Sequence, residues 1–191
     1  MGLTIGLDYG HIDGRERRLC TEMAHLLAFS LQRRDDIKEA LLPLTGATIS
    51  WQEKRRQMET TDADVWLSFH VHPVTDHKEP GFASYIDCCA GLTTRSLQAG
   101  LHNGAAYILR QVDVIDWGKK NDTEAMPGSL PLLTWAEVPA VCFEWRYTTE
   151  EKKYAENPEW MRKVAEQMVS GLRPSVLADI QAESESRTVE K

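Results

Sequence analysis

Apolar residues in this chain fall into two patterns, short alternating or continuous runs and longer three-and-four stripes, and the two take turns along the sequence. Thr4 to Tyr9 alternates and predicts a first strand, followed by the loop "GHIDG". Asp13 and Glu16 have capping-box spacing for a helix to about Arg34, whose inner stripe is Leu19, Met23, Leu26, Leu27 and Ser30. Ala40 to Thr45 reads as a second strand, placed at an edge by Pro43. Ser50 and Glu53 cap the helix "WQEKRRQMETT", which leads into "DVWLSFHVHP", Asp64 to Pro73, an apolar run of central-strand type. Phe82 to Cys88 alternates as a strand. Thr94 to about Val112 is helical, with Leu97, Leu101, Ala105, Ile108 and Leu109 inward and His102 at the surface or boundary. Asp113 to Gly128 is polar and broken by Gly118, Pro127 and Gly128, which predicts a long loop. Leu130 to Trp135 reads as a strand, and Val138 to Tyr147 as an apolar strand interrupted by Glu144. Thr148 and Glu151 form another cap, and Asn157-Pro158 opens a last helix with Met161, Val164, Ala165, Met168 and Val169 inward.

This alternation predicts an α/β fold, a single domain with a twisted, mostly parallel or mixed central sheet of about five to six strands and helices on both faces. Residues 1–182 form the domain, and the charged tail 183–191 is expected to be disordered. A length of 191 residues suits one full core. The net charge of −7 argues against a nucleic-acid surface or a generally anionic membrane as partner. There is no apolar run of membrane-spanning length, so no membrane insertion is expected, and no recognisable secretory signal, so synthesis is expected in the cytoplasm. Cys20, Cys88, Cys89 and Cys142 lack paired spacing and read as reduced, mostly buried thiols. Adjacent Cys88 and Cys89 would point to opposite faces of a strand.

Against this frame a few polar residues stand out. His70 and His72 point to the same side of the central strand, and Pro73 is expected to end its pairing and leave them at the carboxyl end, where open α/β sheets bind ligands. For a lone histidine the bland account is a core residue bonded to backbone; two at a strand end weaken it. His11 stands at the carboxyl end of the first strand, and Glu22 falls on or beside the buried stripe of the first helix, from where its long side chain can also snorkel to water. Glu144 shares a face with Cys142 and Arg146, so a structural Glu144–Arg146 pair is the alternative to a functional carboxylate. His11, His70 and Glu144 come from three strands and can converge at one edge, with Glu22 in reach from the first helix. Two imidazoles and a carboxylate suit hydrolytic Zn²⁺, and a second carboxylate can relay the proton of its bound water, which points to metal-assisted hydrolysis of an amide or ester.

Several stretches then resemble one family. "IGLDYGH", "TEMAHLLAFSLQ", "LTG" with "SWQEKRRQMETTDADVWLSFHVHP", "PGFASYI" and "VPAVCFEWRYTTEEKKYAENPEWMRKVAEQMVSGL" follow, in order over about Thr4 to Leu172, the segments of the zinc-dependent N-acetylmuramoyl-L-alanine amidases of the type-3 catalytic domain. The resemblance implies one Zn²⁺ per chain held by His11, Glu22 and His70, with Glu144 activating the water that cuts the bond between muramic acid and L-alanine of peptidoglycan or a muropeptide. It also implies a phage or prophage endolysin that reaches the wall through a phage pore protein or on lysis. The loop after His11 is shorter than in the family, which keeps Glu16 in play as the ligand in place of Glu22. Gly46 and Lys54 replace arginines, His72 replaces an asparagine, and Trp145 and Arg146 replace a small apolar pair; His72 and Arg146 are candidates to contact substrate or the developing oxyanion. Two other readings stay open at this point, a zinc amidohydrolase for small acylated peptides or amino acids and a non-catalytic binding module on the same scaffold.

Overall fold

In the computed structural model, which describes residues 2–9, 14–41, 50–74, 79–125 and 130–189, the strands are β1 Leu3–Asp8, β2 Ile37–Leu41, β3 Val65–Pro73, β4 Gly81–Ile86, β5 Asp116–Asn121 and β6 Ala140–Tyr147. They form one six-stranded sheet in the order β2-β1-β3-β6-β4-β5. β2, β1, β3 and β6 run parallel, β4 is antiparallel to β6, and β5 is parallel to β4. The helices are α1 Gly14–Leu31, α2 Trp51–Thr60, α3 Leu92–Leu109, α4 Pro131–Trp135, α5 Lys152–Ala155, α6 Pro158–Ser170 and α7 Pro174–Val189.

Strand alternation divides the core into two layers. Leu7, Leu67, Phe69, Val71 and Phe143 point to one face and pack with Leu19, Met23 and Leu27 of α1, Leu101 of α3 and Val164 and Met168 of α6. Trp66, Ala83, Tyr85 and Cys142 point to the other and pack with Met58 of α2 and Leu132 and Leu133 of α4. This is the mixed α/β sheet with helices on both faces that the alternation predicts. The first layer is closed tightly where α3 meets α6: a Cβ on Gly104 would stand 2.0 Å from the Gln167 carbonyl oxygen, so only glycine admits this approach.

Several elements differ from the sequence reading. The second strand begins at Ile37 and lies at the sheet edge, as Pro43 suggested, although residues 42–49 lie outside the described residues. β3 stays paired through Pro73, opposite Tyr147, because the Val74 amide, one residue on, carries the bond to the Tyr147 carbonyl at 3.0 Å. Leu130 to Trp135 holds a short helix, with Pro131 at its start supplying the pre-set φ of a first helical position. The expected long loop contains the edge strand β5. The charged tail continues α7 as a helix from Glu183 to Val189: Val176, Leu177 and Ile180 bury the first turns of α7, Thr93 donates to Glu183 at 2.6 Å, and the Ser184 hydroxyl donates to Asp64.

His102 is a further correction, since it is 1% exposed and stacks on Phe82 at 4.9 Å. Its Nε2 lies 3.0 Å from Asp116 Oδ1 and its Nδ1 2.9 Å from the Ser84 hydroxyl. A carboxylate only accepts, so the neutral ring donates from Nε2 and accepts at Nδ1 from Ser84. Burial pushes His102 down, against the pull of Asp116 and with a smaller push from Lys119 and Arg110. Burial raises Asp116 in turn, but the Gly118 amide, His102 and Arg110 outweigh it and leave its pKa below the usual range. The unfolded chain therefore takes up a proton at His102 near its ordinary value of 6.5, while the folded chain refuses it until lower pH. The stability from this site is complete above that pH and declines as pH falls below it. The unfolding free energy from denaturant titrations is expected to fall between pH 7.5 and 5.5 by up to about 1.4 kcal/mol more in the parent than in His102→Gln, the limit set by the one pH unit between 6.5 and 5.5.

Candidate active site at the carboxyl edge of the parallel strands

The parallel strands β1, β3 and β6 bring their carboxyl ends to one edge. His70 on β3 is the register partner of Glu144 on β6, and position 72 is the partner of Arg146. His70 and Glu144 alternate away from Phe69, Val71 and Phe143, so both side chains lie on the α2 and α4 face. Both are half-buried.

Beneath His70 runs a buried polar chain. Asp8 ends β1 opposite Ser68, and the Ser68 hydroxyl donates to Asp8 Oδ2 at 2.7 Å. Lys54, reaching from α2, places Nζ 2.7 Å from Asp8 Oδ1, with Lys54 8% and Asp8 4% exposed. Both Asp8 oxygens thus have partners, which is the condition for keeping a charge in the interior. Ser68 Oγ lies 3.4 Å from His70 Nε2. Because the Ser68 proton goes to Asp8, its oxygen is left to accept from Nε2–H, a tautomer that makes Nδ1 the ring's acceptor.

Around Glu144 the partners are cationic and phenolic. The Arg146 guanidinium grips it with two bonds, Nε to Oε1 at 2.8 Å and Nη2 to Oε2 at 2.9 Å, while its carbon lies 5.0 Å from the centre of the Trp117 ring. The pair that was the structural alternative in the sequence is thus formed. Tyr85 donates to Glu144 Oε2 at 3.4 Å; burial and then the Glu144 charge push the phenol up to about 12, so it stays a donor. Gly81, with φ +147°, lets Trp117 come close: a Cβ there would meet the indole at 2.7 Å. Cys142, on the same face, is a thiol pushed well up by burial and is no nucleophile at neutral pH.

Glu22 is bonded elsewhere: its carboxylate lies 3.3 Å from Arg18 Nη1, one turn back on α1. α1 packs on the opposite face of the sheet, with the Cys20 sulfur accepting from the Val71 amide at 3.1 Å. His11 lies outside the described residues, and the side chains of Glu16 and His72 are likewise not described. Sequence reasoning took Lys54 for a structural replacement and missed its partners Asp8 and Ser68, together with Tyr85 and Trp117. An acid closing the apolar strand segment "TIGLD" was the available signal for Asp8.

The domain is an α/β fold with a polar centre at the carboxyl ends of its parallel strands, the edge at which open α/β sheets bind ligands. Its sequence matches the family model described as N-acetylmuramoyl-L-alanine amidase over residues 5–174, and the chain belongs to that family. No curated protein matches the chain in sequence. Solved structures show the same fold. An N-acetylmuramoyl-L-alanine amidase from Clostridium difficile 630 superposes with TM-score 0.74 at 20% identity, covering 89% of this chain and 94% of that one. The catalytic domain of CwlV, an N-acetylmuramoyl-L-alanine amidase from Bacillus (Paenibacillus) polymyxa, gives 0.72 at 17% identity over 90% and 96% of the two chains. The catalytic domain of the CD27L endolysin, which targets Clostridia difficile, gives 0.66 at 13% identity over 88% and 96%. Among the described residues no helix is long and apolar enough to cross a membrane.

Proposed function

We propose that this amidase cuts peptidoglycan at the amide between the lactyl group of muramic acid and L-alanine, with Zn²⁺ held at the carboxyl edge and Glu144 moving the proton. The observation that carries the reading is the register pairing of His70 with Glu144 on one sheet face, above the Asp8–Ser68–Lys54 support. An imidazole whose other nitrogen is bonded into a buried carboxylate chain is the usual form of a zinc-ligating histidine. The donor set therefore fits the metal, with His11 as the second imidazole. Bound zinc would polarise the amide carbonyl and acidify a water molecule. Glu144 takes the proton from the attacking water and passes it to the departing alanine nitrogen, so that carboxylate and amine products balance. Tyr85 and Arg146 aim the carboxylate, and Arg146, with His72 beside it in register, is placed to meet negative charge on the substrate carbonyl oxygen.

For the helix ligand two positions compete. Cys20 meets β3 at Val71, next to His70, and Glu22 lies about 3 Å further from the helix start and roughly half a turn round from Cys20. Position 16 falls one turn before Cys20 on the same stripe, toward the edge that carries His70. This favours Glu16 over Glu22 as the third ligand. Metal content after dialysis tests the choice: Glu16→Ala and His70→Ala are expected to lose zinc at least tenfold more readily than the parent, and Glu22→Ala to retain it. Loss in Glu22→Ala alone would restore Glu22 to the centre. Delivery to the wall as an endolysin, through a phage pore protein or after lysis, belongs to the same proposal and is supported by the likeness to the CD27L catalytic domain.

A further inference from the structure

At the opposite edge of the sheet lies a second cluster of ligating groups. β4 runs antiparallel to β6, so its carboxyl end comes to the amino ends of the parallel strands, and the chain turns there through Asp87, Cys88 and Cys89. The sequence expectation that the two cysteines would be buried and point apart on a strand fails, because β4 ends at Ile86 and both are exposed. Their turn is closed by the Ala90 amide donating to the Asp87 carbonyl at 3.0 Å and is held by four further bonds. Asp87 Oδ1 accepts from the Cys89 amide at 2.7 Å, Asp122 Oδ1 accepts from the Cys88 amide at 2.9 Å, and Arg95 donates to the carbonyls of Ala90 at 3.1 Å and Cys88 at 3.4 Å.

The result is a pair of sulfur atoms 3.8 Å apart. Two thiolates bound at about 2.3 Å to one tetrahedral ion stand about 3.8 Å from each other, so the sulfurs already have the spacing that a zinc-like ion requires. A carboxylate oxygen of Asp87 and both sulfurs lie within 4.8 Å of one another, the only such group of three among the described residues. Asp87 and Cys89 also line an open cavity of about 390 Å³, shared with Glu137, Glu183 and Arg187, which leaves room for a fourth ligand from solvent.

We propose that Asp87, Cys88 and Cys89 form a second metal site, apart from the hydrolytic centre, for a thiophilic divalent cation of the Zn²⁺ or Cd²⁺ class. Two sulfurs and one oxygen exclude Mg²⁺ and Ca²⁺, which take oxygen donors. On binding, each thiol releases its proton to solvent as the metal–sulfur bond forms. Arg95, already on the turn, offsets part of the charge of the bound dithiolate. This site stands independently of the reading of His70 and Glu144.

The test uses Co²⁺ as probe on the reduced full chain, because thiolate-to-cobalt charge transfer in the near ultraviolet reports sulfur ligation and a centre of imidazole and carboxylate ligands does not give it. The parent is expected to show this band and to bind one more equivalent of Co²⁺ than the Cys88→Ser, Cys89→Ser double variant, which lacks the band. Asp87→Asn is expected to weaken Co²⁺ binding at this site at least tenfold. A reduced parent without the band, or a double variant with the parent's band and stoichiometry, would overturn the site. Alkylation of the parent gives a readout that needs no variant: Zn²⁺ is expected to slow iodoacetamide modification of Cys88 and Cys89 at least tenfold, and unchanged rates would contradict the proposal.

Discussion

Glu144→Gln is expected to lower the rate of peptidoglycan amide cleavage by about 10²–10⁴-fold, with bound metal and fold unchanged. The substitution keeps the shape of the side chain and leaves an oxygen able to accept from Tyr85 or Arg146, both of which hold the carboxylate in the parent. What it removes is the ability to take a proton from water and return it to the leaving nitrogen. The loss should therefore appear in kcat, with KM changed little. Single-turnover cleavage of a labelled muropeptide, with metal content and circular dichroism recorded on the same samples, checks it. A loss of less than tenfold would mean that another group moves the proton and that Glu144 is a structural partner of Arg146.

Lys54→Met is expected to destabilise the fold by about 3–5 kcal/mol, since it leaves Asp8 buried with its charge uncompensated. For a chain of this size that is a fall in melting temperature of about 10 °C. The Ser68 hydroxyl still donates to Asp8, but one hydrogen bond does not replace an ammonium at 2.7 Å. Pairing the change with Asp8→Asn is expected to recover at least half of the loss, because no net charge then remains in the interior. Thermal unfolding of the two single variants and the double variant measures this coupling directly. A Lys54→Met protein that melts within about 2 °C of the parent would show that solvent reaches Asp8.

The strands that build the site were legible because they are central. β3 and β6 are covered on both faces, so their apolar runs are long, and the polar residues that interrupt them, His70 and Glu144, stand out. β5 gave no such signal. As an edge strand with the sequence Asp-Trp-Gly-Lys-Lys-Asn it is half-exposed, and its pairing with β4 supplies the order that side-chain patterning does not. Leu130 to Trp135 is too short for period to separate helix from strand, and Pro131 was the better guide. His102 sits beside the apolar stripe of α3, but its burial depends on Asp116 and Ser84, which are distant in sequence and come together only in the fold. The same holds for Lys54 and Asp8, each ordinary in its own segment. The tail looked disordered from its charge, yet Thr93 and Asp64 anchor its Glu183 and Ser184 from other elements. For the first helix, the apolar stripe favoured Glu22 over Glu16, and the proposal for Glu16 rests on the contact of Cys20 with Val71, which no pattern within the helix reveals.

The most direct test of the central claim is mass spectrometry of purified peptidoglycan digested by the zinc-loaded protein, with new amino termini labelled. The expected products are stem peptides that begin with free L-alanine and glycan strands whose lactyl groups end in free carboxylates, with neither formed by Glu144→Gln. New reducing sugar ends, amino termini at any other stem residue, or no cleavage by the folded, zinc-loaded protein on walls of several types would contradict it.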